Sequence, residues 1–274
     1  MESRSPADAK GKPATVVYRC FNAAHYNQHL ETSYKDFIKE ALQSYAHFLI
    51  LQEWPLFNYE CNALLEESGY GICSTPDPKM NNGLCVAFDK ERYEFVEESY
   101  RRKPKLGWPD QGEVGSAYDV FGIACAMAAT FKEKSGKHSV RYYHVVSVHA
   151  GYIFDGGDVK CQGDFQQQTW KDLQPLIECD RYTLGNDTLI AIGGSFKGVN
   201  AYTHGKLVEC GYVSMGGVCT QTGGGDKHDM KSLTKVNDLV AFNVTNCSPP
   251  ECEVEVADRY GSDHASLRAK LVFE

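Results

Sequence analysis

The sequence FLILQE, residues 48–53, joins a short continuous apolar run to a carboxylate. A run of this length without polar interruption is typical of a strand that is buried on both faces. The polar end of such a strand lies at the rim of its sheet, where α/β proteins form their sites. The stretch therefore predicts a buried strand over 48–52, with Glu53 at a rim that can carry chemistry.

Strands and helices alternate on both sides of this run. Further strands are predicted over 16–22, 84–88, 124–131, 140–149, 188–192, 238–244 and 266–273. Helices are predicted over 33–45, 55–67 and 165–179, where apolar residues recur at helical spacing. Two longer segments, 101–116 and the Gly-rich 214–229, are predicted to be loops that serve binding. This interleaving of strands and helices predicts an α/β fold.

The length of 274 residues suits one large α/β domain, and no linker divides the chain. Residues 1–14 are rich in Ser, Lys, Ala and Pro, so we expect a disordered tail there. We therefore expect a single domain over 15–274.

The cysteines and the first residues predict where the protein works. Eleven cysteines are scattered without a C-x-x-C pair, and Cys20, Cys85 and Cys125 fall in apolar runs. This usage favours a reducing intracellular compartment, cytoplasmic or nuclear, over a disulfide framework. Residues 1–14 lack the apolar core of a signal peptide. No apolar run reaches the roughly 18 residues of a membrane span, so we expect none.

The net charge of −8 disfavours loose binding to nucleic acid, which depends on basic surface. A local basic groove stays open, because Arg101, Arg102, Lys103 and Lys105 form one cluster. The cluster is more simply interpreted as a solvated loop. Trp108, beside it, suits either stacking on a base or anchoring of the loop.

Polar side chains stand at the ends of five predicted strands. They are Asn22, Glu53, His149, the stretch 194–197 and the pair at 263–264. Gathered at one rim, a carboxylate, an amide and two histidines suit hydrolysis of a phosphate ester. The carboxylate holds a hard cation such as Mg²⁺, which polarises the phosphoryl oxygens. A histidine binds the phosphoryl oxygen or transfers a proton.

The order of these blocks resembles the endonuclease/exonuclease/phosphatase superfamily over almost the whole chain after the tail. The blocks are RCFN at 19–22, LQE at 51–53, NGLCVAF at 82–88, VH at 148–149, VNDLV at 236–240 and GSDHA at 261–265. They are similar to the family's Trp-Asn or Phe-Asn, Leu-Gln-Glu, Gly-x-x-(Ala/Ile), Thr-His-Leu, Ile-Asp-Tyr-Ile and Ser-Asp-His motifs. The Leu-Gln-Glu and Ser-Asp-His blocks are the most specific.

The resemblance implies a DNase-I-like four-layer α/β sandwich, in which two mostly antiparallel sheets lie face to face between helices. It implies that Asn22 and Glu53 bind Mg²⁺ or Mn²⁺. His149 would then contact the phosphoryl oxygen, and Asp263 would orient His264. His264 would bind the scissile phosphate or act in proton transfer.

One block departs from the family. Where the family has Gly-Asp-x-Asn, this chain has Gly-Ser-Phe-Lys at 194–197. Ser195 stands where the family's Asp aligns or activates water, and serine supplies no negative charge and no unaided base. Lys197 stands where the family's Asn donates to the phosphate region, and it brings a cation to a site for metal. Removing a positioned base usually costs 10²–10⁴-fold in rate.

These replacements leave three functions open. The first is a pseudoenzyme that binds a phosphorylated ligand, a nucleic acid or a protein partner with an impaired phosphodiesterase site. The second is an active metal-dependent phosphodiesterase, nuclease or phosphatase whose base is Asp187, Asp226 or a water held by His264. The third is an unrelated interaction role carried by the loops over 101–116 and 214–229.

The cofactor is open in the same way. If the protein is active, Mg²⁺ or Mn²⁺ is expected at Asn22 and Glu53. Alternatively, Lys197 pairs with Glu53 and takes the place of the cation, so that the pocket binds phosphate without metal. In the simplest interpretation Lys197 points to solvent.

Overall fold

The computed structural model describes most of the chain after the predicted tail. The described residues are 14–23, 33–56, 59–76, 83–107, 120–121, 125–135, 140–150, 152–153, 159–178, 187–215, 221–222, 233–235, 238–244, 251–256, 262 and 264–273. Among the residues singled out above, Trp108, Asp226 and Asp263 lie outside them.

The first six-stranded sheet contains the opening stretch near its centre. Its order in space is β15 (Glu251–Val256), β16 (Leu267–Phe273), β1 (Ala14–Asn22), β2 (Phe48–Trp54), β4 (Gly83–Asp89) and β3 (Tyr70–Pro76). Only β1 and β2 run parallel, and Asn22 is paired with Gln52 at their ends. The other neighbouring pairs are antiparallel. The strand ends at Asn22 and at 52–53 therefore lie side by side.

The second six-stranded sheet repeats this plan. Its order is β11 (Val213–Met215), β14 (Asp238–Val244), β10 (Thr188–Ser195), β8 (Tyr142–His149), β7 (Cys125–Glu133) and β5 (Tyr93–Pro104). Its one parallel pair is β8 with β10, and the other pairs are antiparallel. Two short pairs join β6 (Val120–Phe121) to β9 (Tyr152–Ile153) and β12 (Gln221–Thr222) to β13 (Leu233–Lys235).

Helices lie outside the two sheets. They are α1 (Ser33–Gln43), α2 (Tyr59–Glu67), α3 (Val159–Glu178) and α4 (Asn200–Glu209), and a 3₁₀ turn over Lys197–Val199 precedes α4. Among the described side chains of α1, Phe37, Ile38 and Ala41 are buried, and their spacing places them on one face of a helix that packs on a sheet.

Three apolar clusters bind these layers together. One lies between the two sheets and includes Tyr18, Phe48, Met127 and Phe242. A second packs α1 and α2 on the first sheet, and a third packs α3 and α4 on the second. The layers are helix, sheet, sheet and helix. This confirms the predicted four-layer α/β sandwich with two mostly antiparallel sheets.

The structure corrects the predicted elements at several places. Residues 101–104 are the end of strand β5 and not a loop. Strand β11 and the short β12 occupy part of the predicted loop over 214–229. Strands β3 and β15 and helix α4 were not predicted. Helix α3 begins at Val159, six residues before its predicted start at 165.

Two further features concern the cellular setting. Within the described residues, no helix is both long and apolar enough to span a membrane. Among the described cysteines, Cys20, Cys73, Cys85 and Cys210 are free thiols, and the first three are buried. The reducing compartment stays a prediction that these thiols suit.

Candidate phosphate site at the strand ends

Glu53 lies at the centre of the rim. One carboxylate oxygen, Oε1, accepts a hydrogen bond from Nδ2 of Asn22 at 3.3 Å. The same oxygen is 3.1 Å from Nε2 of His149, across the gap between the two sheets. Glu53 has a φ of +50°, and the pairing of β2 with β4 shifts register between Leu51 and Trp54. This irregularity turns the carboxylate out of the strand and toward the second sheet.

The approach of His149 to Glu53 has the distance but not the direction of a hydrogen bond. Nε2 of His149 is buried and has no hydrogen-bond partner among the described residues. The two groups are therefore in polar contact without a hydrogen bond of normal geometry.

Below these groups, Gln52 connects the two sheets. Its Nε2 donates to Oγ of Ser147 at 3.2 Å and to the carbonyl of Ile50 at 3.2 Å. Gln52 and Ser147 are fully buried. The amide therefore fixes the spacing of β2 and β8 directly below Glu53 and His149.

Three polar residues form a row across the second sheet. Ser195 is paired with His149 in the parallel direction and with Asp238 in the antiparallel direction. Ser195 is 0% exposed, and its hydroxyl has no hydrogen-bond partner among the described residues. Buried polar atoms in folded proteins are nearly always bonded, so this hydroxyl marks a place that a water or ligand atom completes.

Asp238 is a site residue that the sequence analysis did not select. Its Oδ2 is 2.8 Å from Nδ1 of His264, and both side chains are buried. A carboxylate acceptor places the proton on Nδ1, which leaves Nε2 of a neutral His264 as an acceptor. The signal was available, because Asp238 belongs to the VNDLV block. The predicted orienting role of Asp263 stays a prediction, since Asp263 lies outside the described residues.

The final block is also connected to the first strand. Oγ of Ser262 donates to the carbonyl of Asn22 at 2.8 Å, and the backbone N–H of His264 donates to Oγ of Ser262 at 3.0 Å. The structure therefore places Asn22, Glu53, His149, Ser195 and His264 at one rim, and the roles assigned to them stay predictions.

Lys197 begins the 3₁₀ turn that follows β10 and is partly buried. Its φ of +45° lies in the left-handed region, which Asn adopts more easily than Lys. Its positive charge acts on both Glu53 and His149. Lys197 is therefore connected to Glu53 and His149 through its charge. Asn200 does not fill the vacated Asn position, because its Nδ2 donates to the carbonyl of Asp238 at 3.1 Å.

Two pKa values at the site shift downward. Burial alone raises the pKa of Glu53, but the contact with His149 and the charges of Lys197 and His264 outweigh it and lower the pKa from 4.5 to about 2. Burial and the positive charge of Lys197 lower the pKa of His149, against the opposing effect of Glu53. At neutral pH Glu53 is therefore a carboxylate and His149 is a neutral imidazole.

The shift of Glu53 predicts a pH dependence of stability. A lowered folded-state pKa contributes stability that is fully present above 4.5 and is lost as the pH falls from 4.5 toward about 2. We expect this contribution to be at most about 3–4 kcal/mol, since each pKa unit corresponds to about 1.4 kcal/mol. Urea unfolding of the wild type and Glu53→Gln across this range measures it. The stability difference between the two proteins should shrink on acidification, and a constant difference would contradict the assignment.

The described residues do not complete a site for a divalent metal. Within them, no three His, Cys, Asp or Glu side chains gather as metal ligands. Asn22 and Glu53 offer one amide and one carboxylate, and the carboxylate oxygen Oε1 is already close to His149. The charge of Lys197 on Glu53 opposes a second cation.

Asp187 is corrected as a candidate base. It precedes Thr188 at the start of β10, whereas Ser195 ends that strand. Eight strand residues span about 26 Å at 3.3 Å each, so Asp187 lies at the opposite end of the sheet. There its carboxylate is 3.5 Å from Nε of Arg141.

Comparison with known structures identifies the fold. The structure is similar to an endonuclease/exonuclease/phosphatase from Bacteroides vulgatus, with a TM-score of 0.64 and 16% identity over 95% of this chain and 100% of that one. It is also similar to the human Nocturnin catalytic domain with bound sulfate, with a TM-score of 0.60 and 14% identity over 96% and 98% of the two chains. For D. rerio TDP2 complexed with a single-strand DNA product, the TM-score is 0.58 and the identity 10% over 94% and 99%.

Comparison with family models and with curated proteins found no match. At 10–16% identity the likeness establishes the DNase-I-like fold. What the site does rests on its own residues.

Proposed function

We propose that this chain is a divergent member of the endonuclease/exonuclease/phosphatase superfamily whose site binds the phosphate group of a ligand without efficient hydrolysis. The observation that carries the proposal is Ser195. It is fully buried between His149 and Asp238, at the position where the resemblance places a carboxylate.

The loss of that carboxylate removes the group that would align or activate water. A serine hydroxyl cannot take up a proton at neutral pH without a base beside it. Neither His149 nor Asp238 bonds to this hydroxyl, which has no partner among the described residues. Removing a positioned base costs about 10²–10⁴-fold, so a typical turnover of about 10 s⁻¹ becomes slow.

The remaining groups suit a phosphate oxyanion. Lys197 supplies a positive charge, and a phosphate oxygen that entered between the sheets would meet the buried Nε2 of a neutral His149 and the buried hydroxyl of Ser195. Lys197 acts on Glu53 as a cation held there would, and so takes over the charge role of a metal. The pocket therefore binds phosphate without metal. Two neighbours of the same fold hold a sulfate anion and a single-strand DNA product, which supports an anionic ligand.

A second function is favoured by one observation, the buried pair of Asp238 and His264 at 2.8 Å. A carboxylate–histidine pair is suited to proton transfer, and a relic site has no need of it. In this alternative the protein is a metal-dependent phosphodiesterase, with Mg²⁺ or Mn²⁺ held by Asn22 and Glu53. Its base is then a water held by His264, or Asp226, which lies outside the described residues.

The substitution Glu53→Gln separates the two functions by the sign of its effect. In a metal-free pocket it removes a negative charge beside the bound phosphate, and we expect binding of inorganic phosphate and of a mononucleotide to tighten about tenfold or more. Two charges a few ångströms apart interact by several kcal/mol at an effective dielectric of about 20, so this estimate is conservative. Isothermal titration with chelator present, and again with Mg²⁺, measures the effect.

The matched variant is Lys197→Met, which removes the opposite charge at the same rim and should weaken phosphate binding. Affinity that requires Mg²⁺ and disappears in Glu53→Gln would instead support the metal-dependent enzyme. Absence of phosphate binding by the wild type under both conditions would contradict the proposal and leave an interaction role through other surfaces.

A further inference from the structure

The basic cluster of the sequence lies on an edge strand and not in a loop. Arg101, Arg102 and Lys103 belong to β5, the outermost strand of the second sheet, and Lys105 follows its end. We call these four residues the basic rim. The register connects it to the site, because Pro104 is paired with Cys125 and Cys125 with His149. At about 4.8 Å per strand, the end of β5 lies about 10 Å from His149.

Three cations of the basic rim have no acidic partner among the described residues. The side chains of Arg101, Arg102 and Lys105 are exposed, and no described carboxylate forms an ion pair with them. Arg101 donates to the carbonyls of Glu98 and Tyr100, which hold its guanidinium against the strand. Three cations without an ion-pair partner in the described part of the chain thus lie at one edge of a protein whose net charge is −8.

The strand end that carries these charges is held in place. Asp172 of α3 is buried and accepts from the backbone N–H of Gly107 at 2.8 Å and from Nε2 of Gln168 at 3.0 Å. Nζ of Lys103 is 3.1 Å from the same carboxylate. Lys103 therefore serves to fix the rim, and the other three cations are presented on a rigid support. Preorganised charges bind a ligand with a smaller entropic cost than charges on a free loop.

We propose that the basic rim is a second phosphate-binding subsite, so that the ligand carries several phosphate groups in a chain. This inference rests on the proposed function of the pocket, which takes one phosphate, and it adds the class of ligand. The backbone that carries these charges lies about 10 Å or more from His149, so the cluster suits a phosphate other than the one in the pocket. It is well placed for another phosphate of an oligonucleotide or of a polyphosphate, which share this chemistry.

The experiment compares three labelled probes on the full chain: a mononucleotide, an inorganic polyphosphate and a single-stranded oligonucleotide. The test variant is Arg101→Gln, Arg102→Gln, Lys105→Gln. The control variant Lys39→Gln, Lys90→Gln, Lys132→Gln makes the same change in net charge at exposed lysines elsewhere. Affinities are measured by fluorescence anisotropy over a range of salt concentrations.

The test variant should bind the chain-like probes more weakly than the control does, with mononucleotide affinity unchanged. The slope of log affinity against log salt should fall by about 2 for the oligonucleotide, since each phosphate contact contributes about 0.7. The probe with the larger loss identifies the source of the phosphates. Equal affinities for test and control variants would overturn the subsite and leave the pocket intact. Failure of all three probes to bind the wild type would overturn both proposals.

Discussion

The double variant Ser195→Asp, Lys197→Asn is expected to hydrolyse a fluorogenic phosphodiester in the presence of Mg²⁺ or Mn²⁺ about 10²–10⁴ times faster than the wild type. The Asp supplies a carboxylate between His149 and Asp238, and the Asn removes the competing cation beside Glu53. Asn also suits the left-handed backbone at this position, where φ is +45°. The residues at 195 and 197 act together in the site, so their effects on rate are not additive. Each single variant should therefore gain much less than half of the increase, on a logarithmic scale, that the double variant gains.

The controls for this variant use Glu53, the candidate metal ligand, together with chelator and thermal unfolding. Adding Glu53→Ala should abolish the gained activity, and chelator should do the same. The double variant must also be shown to fold, because a carboxylate at a fully buried position is costly unless it binds a cation. Its thermal unfolding should show one cooperative transition. A wild type that already turns over with metal and loses activity in Glu53→Ala would contradict the pseudoenzyme and establish the hydrolase.

Gly194→Ala is expected to prevent stable folding, at a cost above about 4 kcal/mol, which is exceptional for one substitution. Gly194 has a φ of +153°, and a Cβ there would lie 1.9 Å from the carbonyl oxygen of Val148. That oxygen belongs to the backbone of β8, so the clash is relieved only by separating β8 from β10. His149 and Ser195 would then lose their pairing. Urea unfolding, or the soluble yield if the variant does not fold, measures the cost.

The matched substitution is Gly205→Ala within α4. No atom lies within 4 Å of a Cβ at Gly205, and alanine is favoured over glycine inside a helix by about 0.5–1 kcal/mol. This variant should be slightly more stable than the wild type. Wild-type stability in Gly194→Ala would mean that β10 approaches β8 less closely than described.

The sequence predicted the sandwich because its strand ends carry recognisable blocks in a fixed order. The buried strands around 48–52 and 188–192 are continuous apolar runs, whose pattern is unmistakable. The edge strands of the sheets were harder to predict from the sequence. Strand β5 contains three glutamates and two arginines and has little apolar alternation, because edge strands are often charged to avoid pairing with other chains. Its basic residues therefore resembled a loop.

The partner of His264 was missed for a different reason. Asp238 begins β14 and was counted as part of a strand, while its contact with His264 joins two sheets and spans 26 positions. Such a contact depends on how the sheets stack, and a single sequence contains no direct record of it. The family resemblance assigned the orienting role to Asp263, which lies outside the described residues. The same limit applies to Asp187, whose place at the far end of β10 follows only from strand direction.

The hydrogen bond from Gln52 to Ser147 holds the two sheets at a fixed separation. In the proposed function, that separation limits the size of the phosphate ester that fits between them. Asn22 and Glu53 belong to one sheet, and His149, Ser195 and Asp238 belong to the other. The backbones of the two halves of the site are therefore separated by the distance between two packed sheets, about 10 Å. This distance is set by the bulk of inner side chains such as Phe48 and Tyr18, which never contact a ligand. Selectivity for a larger or smaller phosphate ester would change through the filling of the interior, with every residue of the pocket left as it is.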